Sequence, residues 1–341
     1  MKAFALSSVM VLTMAISAGA APAASPPVPV LVHTSPLPAI GEGDFDQFAV
    51  DRKRNRLYLS AEAAGAIEVF DLRTGDLIRS GGPVKAPHKL AVDEPTGRLF
   101  VADGGDNAVK VLDEQLNLIK TIPAGTDPDG GVYDPDSRIF YVGSRASDPA
   151  DQTSTIAAIS TTAMSVVGSA PVASHTLKAM LIDRPTDRLF VSMRDKNQIG
   201  IISLKDRTVR AVWSPADMNQ PVPLALDRAD NLLFVGSRKP GKLFVLNATD
   251  GHVVDVLDCT DVSDSMTYDD RARVLYVSGA SGLSLYSVQA GGVVKPIGLL
   301  DTGAGKTSLV VRSLDRLYVA RPKTALQGAA LVIYALPASK G

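Results

Sequence analysis

Five residues recur seven times in this chain. RLYLS begins at Arg56, RLFVA at Arg98, IFYVG at Ile139, RLFVS at Arg188, LLFVG at Leu232, VLYVS at Val274 and RLYVA at Arg316. Ahead of each copy stands a second short apolar run. Six of these runs end in aspartate, at Asp51, Asp93, Asp134, Asp183, Asp227 and Asp269, and the seventh ends at Arg312. The ends lie 42, 41, 49, 44, 42 and 43 residues apart, and a fixed period of this size marks a repeat architecture.

Each unit alternates apolar and polar residues with period two, which predicts strands. A third strand follows in every unit: AIEVF, AVKVL, TIAAI, QIGII, KLFVL, LSLYS and ALVIY. Turns such as Asp71–Gly75 and Asn247–Gly251 then lead to a fourth, built from residues that tolerate hairpin backbone angles. Four short antiparallel strands repeated seven times predict an all-β, seven-bladed β-propeller. The seventh unit stops after its third strand, while a lone strand, VPVLVHTSPLPAIG, precedes the first unit. Residues 28–36 are therefore expected to pair with residues 329–335, closing the last blade and removing an open sheet edge. The alternation of Val28, Val30 and Val32 predicts that one face of this strand meets the core.

These repeats resemble those of the YVTN-repeat β-propellers, a group of secreted and cell-surface seven-bladed rings. The resemblance spans about residues 28–337 and rests on the short-strand motif, the strand after it and the period. Where the group usually has asparagine after the short strand, this chain has Ser60, Asp103, Ser192 and Ser237. Neither the Gly-His nor the Trp-Asp signature of WD repeats recurs. The resemblance implies a fold and a compartment but no single activity, so function must be read from the site.

Residues 1–20 read as a cleavable signal peptide: Lys2, an apolar stretch to about Ile16, then Ala18-Gly19-Ala20. The apolar stretch is shorter than the roughly 20 residues of a membrane span. The expected organisation is signal peptide 1–20, linker 21–27, propeller 28–337 and tail 338–341, with a periplasmic or secreted product and no membrane span after cleavage. Cys259 is the one cysteine, so no intrachain disulfide forms. Its neighbours Asp258 and Asp261 disfavour a thiolate, and it reads as an inert packed thiol. A net charge of −1 and 5% aromatic residues argue against nucleic acid as a partner.

Repetition separates scaffold from site. The recurring Asp…Arg spacing (Asp51…Arg56, Asp93…Arg98, Asp134…Arg138, Asp183…Arg188) reads as a structural device across the turn between first and second strands. Residues just before each innermost strand should instead rim the central channel. Counting back from each repeat end gives Asp46, His88, Asp129, Lys178, Val222, Asp264 and Thr307, the last beside Lys306. Loops on the same face carry Glu62, Asp103, Asp106, Asp148 and Asp151, with Arg145, in the first three units. Arg194, Asp195, Lys196, Arg238, Lys239, Arg321 and Lys323 come from later ones, which predicts an acidic arc facing a basic one.

The candidate ligand-binding set is Asp46, His88, Asp129, Lys178, Asp264, Lys306, Arg194, Arg238 and Lys239. Asp46, His88 and Asp129 are candidates for a divalent metal site, and Asp46, Asp127 and Asp129 for an oxygen-rich one. No GxSxG elbow is present, and GAGKTS at 303–308 lacks the first glycine of a phosphate loop. Two functions stand. The first is an exported binding module that holds a small polar or anionic ligand, or a protein segment, on the channel face. The alternative is a lactonase-like hydrolase or lyase using a metal or the Asp/His set. No catalytic residue is assigned.

Overall fold

A computed structural model describes residues 28–148 and 150–337; the expected signal peptide, linker and tail lie outside the described residues. The chain forms seven four-stranded antiparallel sheets. Six are built from consecutive strands, as in blade one: Phe48–Asp51, Arg56–Ala61, Ala66–Asp71 and Leu77–Gly81. The seventh pairs Thr307–Val311, Arg316–Arg321 and Ala330–Ala335 with Val30–Pro36 from the other end. The seven-bladed propeller is thus the fold, closed by the N-terminal strand.

The recurring pentapeptide is the second strand of each blade, buried on both faces because blades stack face to face. That explains why it reads as a nearly continuous apolar run. Each interface between blades holds its own apolar cluster. Tyr58 of blade one packs with Leu90 and Val101 of blade two, Phe100 of blade two with Phe140 of blade three, and Phe190 of blade four with Phe244 of blade five. Tyr318 and Leu331 of blade seven close the ring against Leu57 and Phe70 of blade one. The Tyr318 hydroxyl donates to the Leu72 carbonyl, and Thr307 Oγ1 donates to the Phe45 carbonyl at 2.9 Å.

The closing strand runs antiparallel to Ala330–Ala335, with Val30 opposite Ala335 and Pro36 opposite Ala330. Its valines do not meet the core: Val28, Val30 and Val32 are 47%, 63% and 48% exposed. The strand is the outermost of its blade, as are Leu77–Gly81 and Leu118–Pro123, and these outer strands are largely open to solvent. It is held by backbone pairing, by Ser35 donating to the Gly75 carbonyl at 2.5 Å, and by buried Leu37 just beyond it.

The Asp…Arg device also differs from the expectation. The carboxylate that ends each first strand is reached mainly from the next blade. Arg138 donates to Asp93, Arg184 pairs with Asp134, Arg228 with Asp183 at 3.2 Å, Arg273 with Asp227 at 3.6 Å and Arg312 with Asp269 at 3.0 Å. Asp183 alone also keeps its own Arg188, at 2.9 Å. In blade one Asp51 binds Arg54 of the same turn at 3.0 Å, and Arg54 donates on to the Glu94 carbonyl of blade two at 2.8 Å. The residue before each second strand shares one backbone conformation. Asn55, Gly97, Arg138, Asp187, Asn231, Arg273 and Asp315 all have φ between +49° and +73°. Asparagine and glycine suit that left-handed conformation and arginine does not. Arg138 and Arg273 adopt it and reach across the interface, whereas Arg184, Arg228 and Arg312 do so from the start of the turn.

Candidate functional site

The channel face is shaped by the innermost strands. In blades one, three and six, Asp46, Asp129 and Asp264 each donate a backbone N–H to the end of their second strand: Ser60 and Gly143 at 3.0 Å, Ser278 at 2.9 Å. In blades two, four and five the pairing slips by one residue, between Pro87 and Leu90, Leu177 and Met180, and Pro221 and Leu224. Such bulges bend a strand and re-aim its side chains. In blade two, consecutive His88 and Lys89 reach consecutive Asp46 and Gln47 of blade one: His88 Nδ1 lies 2.7 Å from Asp46, and Lys89 Nζ donates to Gln47 Oε1 at 3.1 Å.

Behind the mouth lies a cavity of about 240 Å³ lined from all seven blades, by Gln47, Lys89, Gly130, Lys178, Pro223, Met266 and Leu309 among others. Around its mouth the predicted ring comes together. Buried His88 has Asp46 and, at 3.9 Å, Glu62 on its Nδ1 side, and Asp127 at 3.7 Å from Nε2. Lys178 binds Asp129, and Arg238 binds Asp264. Lys306 lies 2.8 Å from Asp44 and 3.7 Å from Asp264, and Arg145 lies 2.9 Å from Asp127. Gly104 allows the His88–Asp127 approach, because a Cβ there would stand 2.3 Å from Asp127 Oδ1 and 2.9 Å from His88 Nε2.

Electrostatics follow from this packing. Burial opposes a charge on His88, but its Asp46 hydrogen bond and the charges of Asp46, Asp129 and Glu62 carry its pKa up to about 9. The ring is therefore an imidazolium near neutral pH. Burial likewise opposes ionisation of Asp46, and the bond and charge of His88 more than offset it, holding the carboxyl below its usual range. Burial, with the charge of Asp46, pushes Asp264 up despite Arg238. Burial pushes the Lys89 amine down. Arg194 at the rim is lowered by burial and by repulsion from Arg238 and Arg145.

Other predicted residues fall elsewhere. Lys239 is exposed and borders a separate hollow with Asn197 and Met218, outside the channel cavity. Arg321 donates to the Gly328 carbonyl at 3.3 Å. Part of the acidic arc is neutralised: Asp103 and Asp106 are bound by Lys110, and Asp106 also by Lys85. Asp195 holds backbone N–H groups of His175 and Thr176 at 3.1 and 2.9 Å. Lys110 stands in the same blade as Asp103 and Asp106, and Lys85 in the loop that leads into it, so that pairing is local to blade two. Cys259 is half-buried, and burial pushes its thiol up.

Asp46, His88 and Asp129 offer ligand atoms all within 4.8 Å of one another, the chemistry of a divalent-metal site. In the observed arrangement Lys178 and the imidazolium itself neutralise those carboxylates. Sequence reasoning missed Lys89, Gln47 and Asp44. The trace of Lys89 was present in PHKLAVD, where two consecutive polar residues interrupt an otherwise apolar strand. A scan against protein-family models matches none to this chain, and a search of curated proteins returns no relative.

Proposed function

We propose that this chain is an exported YVTN-repeat propeller that serves as a binding module, and that its channel mouth takes a small anionic ligand. One observation carries the reading. Among the described residues of the mouth, Lys89 and Arg194 have no carboxylate within ion-pair distance, while Lys178, Arg238, Lys306 and Arg145 all do. Both are half-buried, so water compensates them only in part. A ligand carboxylate or phosphate supplies the missing charge. The cavity is smaller than the roughly 300–1,000 Å³ of drug-sized sites, which favours a ligand of few atoms.

Calorimetric titration with acetate, glycolate, succinate and citrate, against uncharged acetamide, tests the reading. Arg194→Gln should weaken binding about 10- to 150-fold, the equivalent of one charge-assisted hydrogen bond, at an unchanged melting temperature. Equal titration of wild type and variant with every anion refutes it. Mass spectrometry of the mature N-terminus from cells tests export, with cleavage expected after Ala20.

The convergence of Asp46, His88 and Asp129 supports a second reading, a metal-assisted hydrolase or lyase. These three residues would hold the ion, which would polarise a substrate carbonyl. Binding requires that His88 lose a proton and that Lys178 leave Asp129. Stabilisation by Zn²⁺ or Mn²⁺, reversed by chelator and lost in His88→Ala, would favour this reading over the first.

A further inference from the structure

Repetition also exposes a departure on the face opposite the channel mouth. Where the third strand turns into the fourth, Gly75, Met164, Arg207 and Gly251 hold equivalent places. Each donates its N–H to the carbonyl four residues back, at 2.8–3.0 Å, with φ between +52° and +83°. Glycine suits that conformation, and Met164 packs an apolar side chain against the cluster between blades two and three. Blade four puts a cation in the same slot, between blades three and four. Its guanidinium lies along the outermost strand of blade three, Ser165–Val172, where a Cβ on Gly168 would stand 2.8 Å from Arg207 Cζ, Nε and Nη1.

Among the described residues no carboxylate lies within ion-pair distance of Arg207, and its Nε is buried without a hydrogen-bond partner. A half-buried cation so placed is only partly compensated by water. Arg207 lines a hollow of about 340 Å³ together with Tyr141, Lys205, Arg184, Asp134 and Asp187. The two carboxylates are already engaged, Asp134 by Arg184 and Asp187 by Arg210 at 2.5 Å. Exposed Lys205 has no acidic partner among the described residues. Tyr141 is 6% exposed, and its hydroxyl makes no hydrogen bond to a described residue. Burial pushes this phenol up against the pull of Arg207, so it remains a donor.

We propose that this hollow binds a phosphate group, which Arg207 and Lys205 hold by charge and the Tyr141 hydroxyl orients by a hydrogen bond. The site lies on the other face from the channel mouth and does not rest on the anion reading made there. A planar guanidinium fork matches two oxygens of a tetrahedral oxyanion. Two uncompensated cations match the charge of a dianion, where a carboxylate would bring one charge.

The probe is inorganic phosphate, titrated calorimetrically into the full chain carrying Arg194→Gln, which weakens the mouth and leaves this hollow intact. Phosphate binding should persist there. Adding Arg207→Met, the residue that blade three carries at this place, should weaken it about 10- to 150-fold at an unchanged melting temperature. Tyr141→Phe should cost about tenfold. Lys205→Gln should cost about two- to fivefold, and being exposed it reads the site even if Arg207→Met fails to fold. Glycerol 1-phosphate distinguishes the source: binding of both forms supports a phosphomonoester, and binding of inorganic phosphate alone supports the free ion. Acetate that binds as well as phosphate overturns the choice of ligand. Phosphate binding that disappears with Arg194→Gln alone leaves the mouth and removes this site. Binding in that background which neither Arg207→Met nor Lys205→Gln weakens overturns the proposal.

Discussion

Replacing Asp93 by alanine should destabilise the ring without touching the channel. Asp93 is fully buried and accepts four hydrogen bonds: Arg138 Nε at 3.1 Å and Nη2 at 2.6 Å from blade three, Tyr133 Oη at 3.1 Å, and the hydroxyl of Thr96. All four bonds are made to a charged group, for which each is worth roughly 1.5–3 kcal/mol. Against this stands the cost of burying the carboxylate, several kcal/mol, which the alanine variant no longer bears. The expected net loss is about 2–4 kcal/mol, or roughly 3–6 °C at about 1.5 °C per kcal/mol for a domain of this size. Tyr133→Phe removes one of the four bonds and should cost about 1.5–3 kcal/mol.

The pH dependence has a definite sign. Burial opposes ionisation of Asp93, but the bonds from Arg138 and Thr96 outweigh it and hold its pKa below the usual carboxylate range. Its stabilisation is therefore present above the unfolded value, about 3.9, and is lost as pH falls through the lower folded value. Urea unfolding from pH 7 down to pH 3 measures both effects. A wild-type-minus-Asp93→Ala difference below about 1 kcal/mol at pH 7, or one that grows as pH falls, refutes the account of the clamp.

Three further outcomes are expected. Deleting residues 28–36 should lower the melting temperature and promote association, because it strips the backbone pairing from Ala330–Ala335; a truncated protein that melts like the longer one removes the closing role. The His88 imidazole should titrate by NMR near 9, well above the ordinary value of about 6.5. Its folded pKa is raised, so its stabilisation is complete below about 6.5 and lost as pH rises through that higher value; an ordinary midpoint contradicts the cluster. Gly104→Ala should push Asp127 and His88 apart, since its Cβ would lie 2.3 Å from Asp127 Oδ1, and should move the His88 midpoint; an unmoved midpoint shows that the carboxylates nearer Nδ1 alone set it.

The ring was legible in the sequence because its period is imposed by packing, and every second strand must be apolar on both faces. The closing strand was legible in position and not in burial. Alternating valines at 28, 30 and 32 signal strand preference, but an outermost strand has no layer beyond it to bury them. Five-residue spacing between Asp and Arg looked local because a repeat places an equivalent arginine in every blade; sequence distance alone does not say which one the carboxylate meets. Position counting found Asp46, His88, Asp129, Lys178 and Asp264. It missed Lys89 because a bulge adds a residue that no strand pattern announces. Counting loops alone also overlooked Lys110 and Lys85, which neutralise Asp103 and Asp106 from residues outside those loops.

Closure by the first strand also sets an order of events. Six sheets pair strands that follow one another along the chain and form from local contacts. The seventh must bring Val30 to Ala335, and contacts between such distant residues are the slow ones. During synthesis the first strand waits, unpaired, until almost the whole chain has emerged. Until then the growing arc would carry an unmatched blade face at each end, and joining them is expected to be the last act of folding. Sensitivity to proteases and to association should therefore end abruptly with that single step, not fade blade by blade.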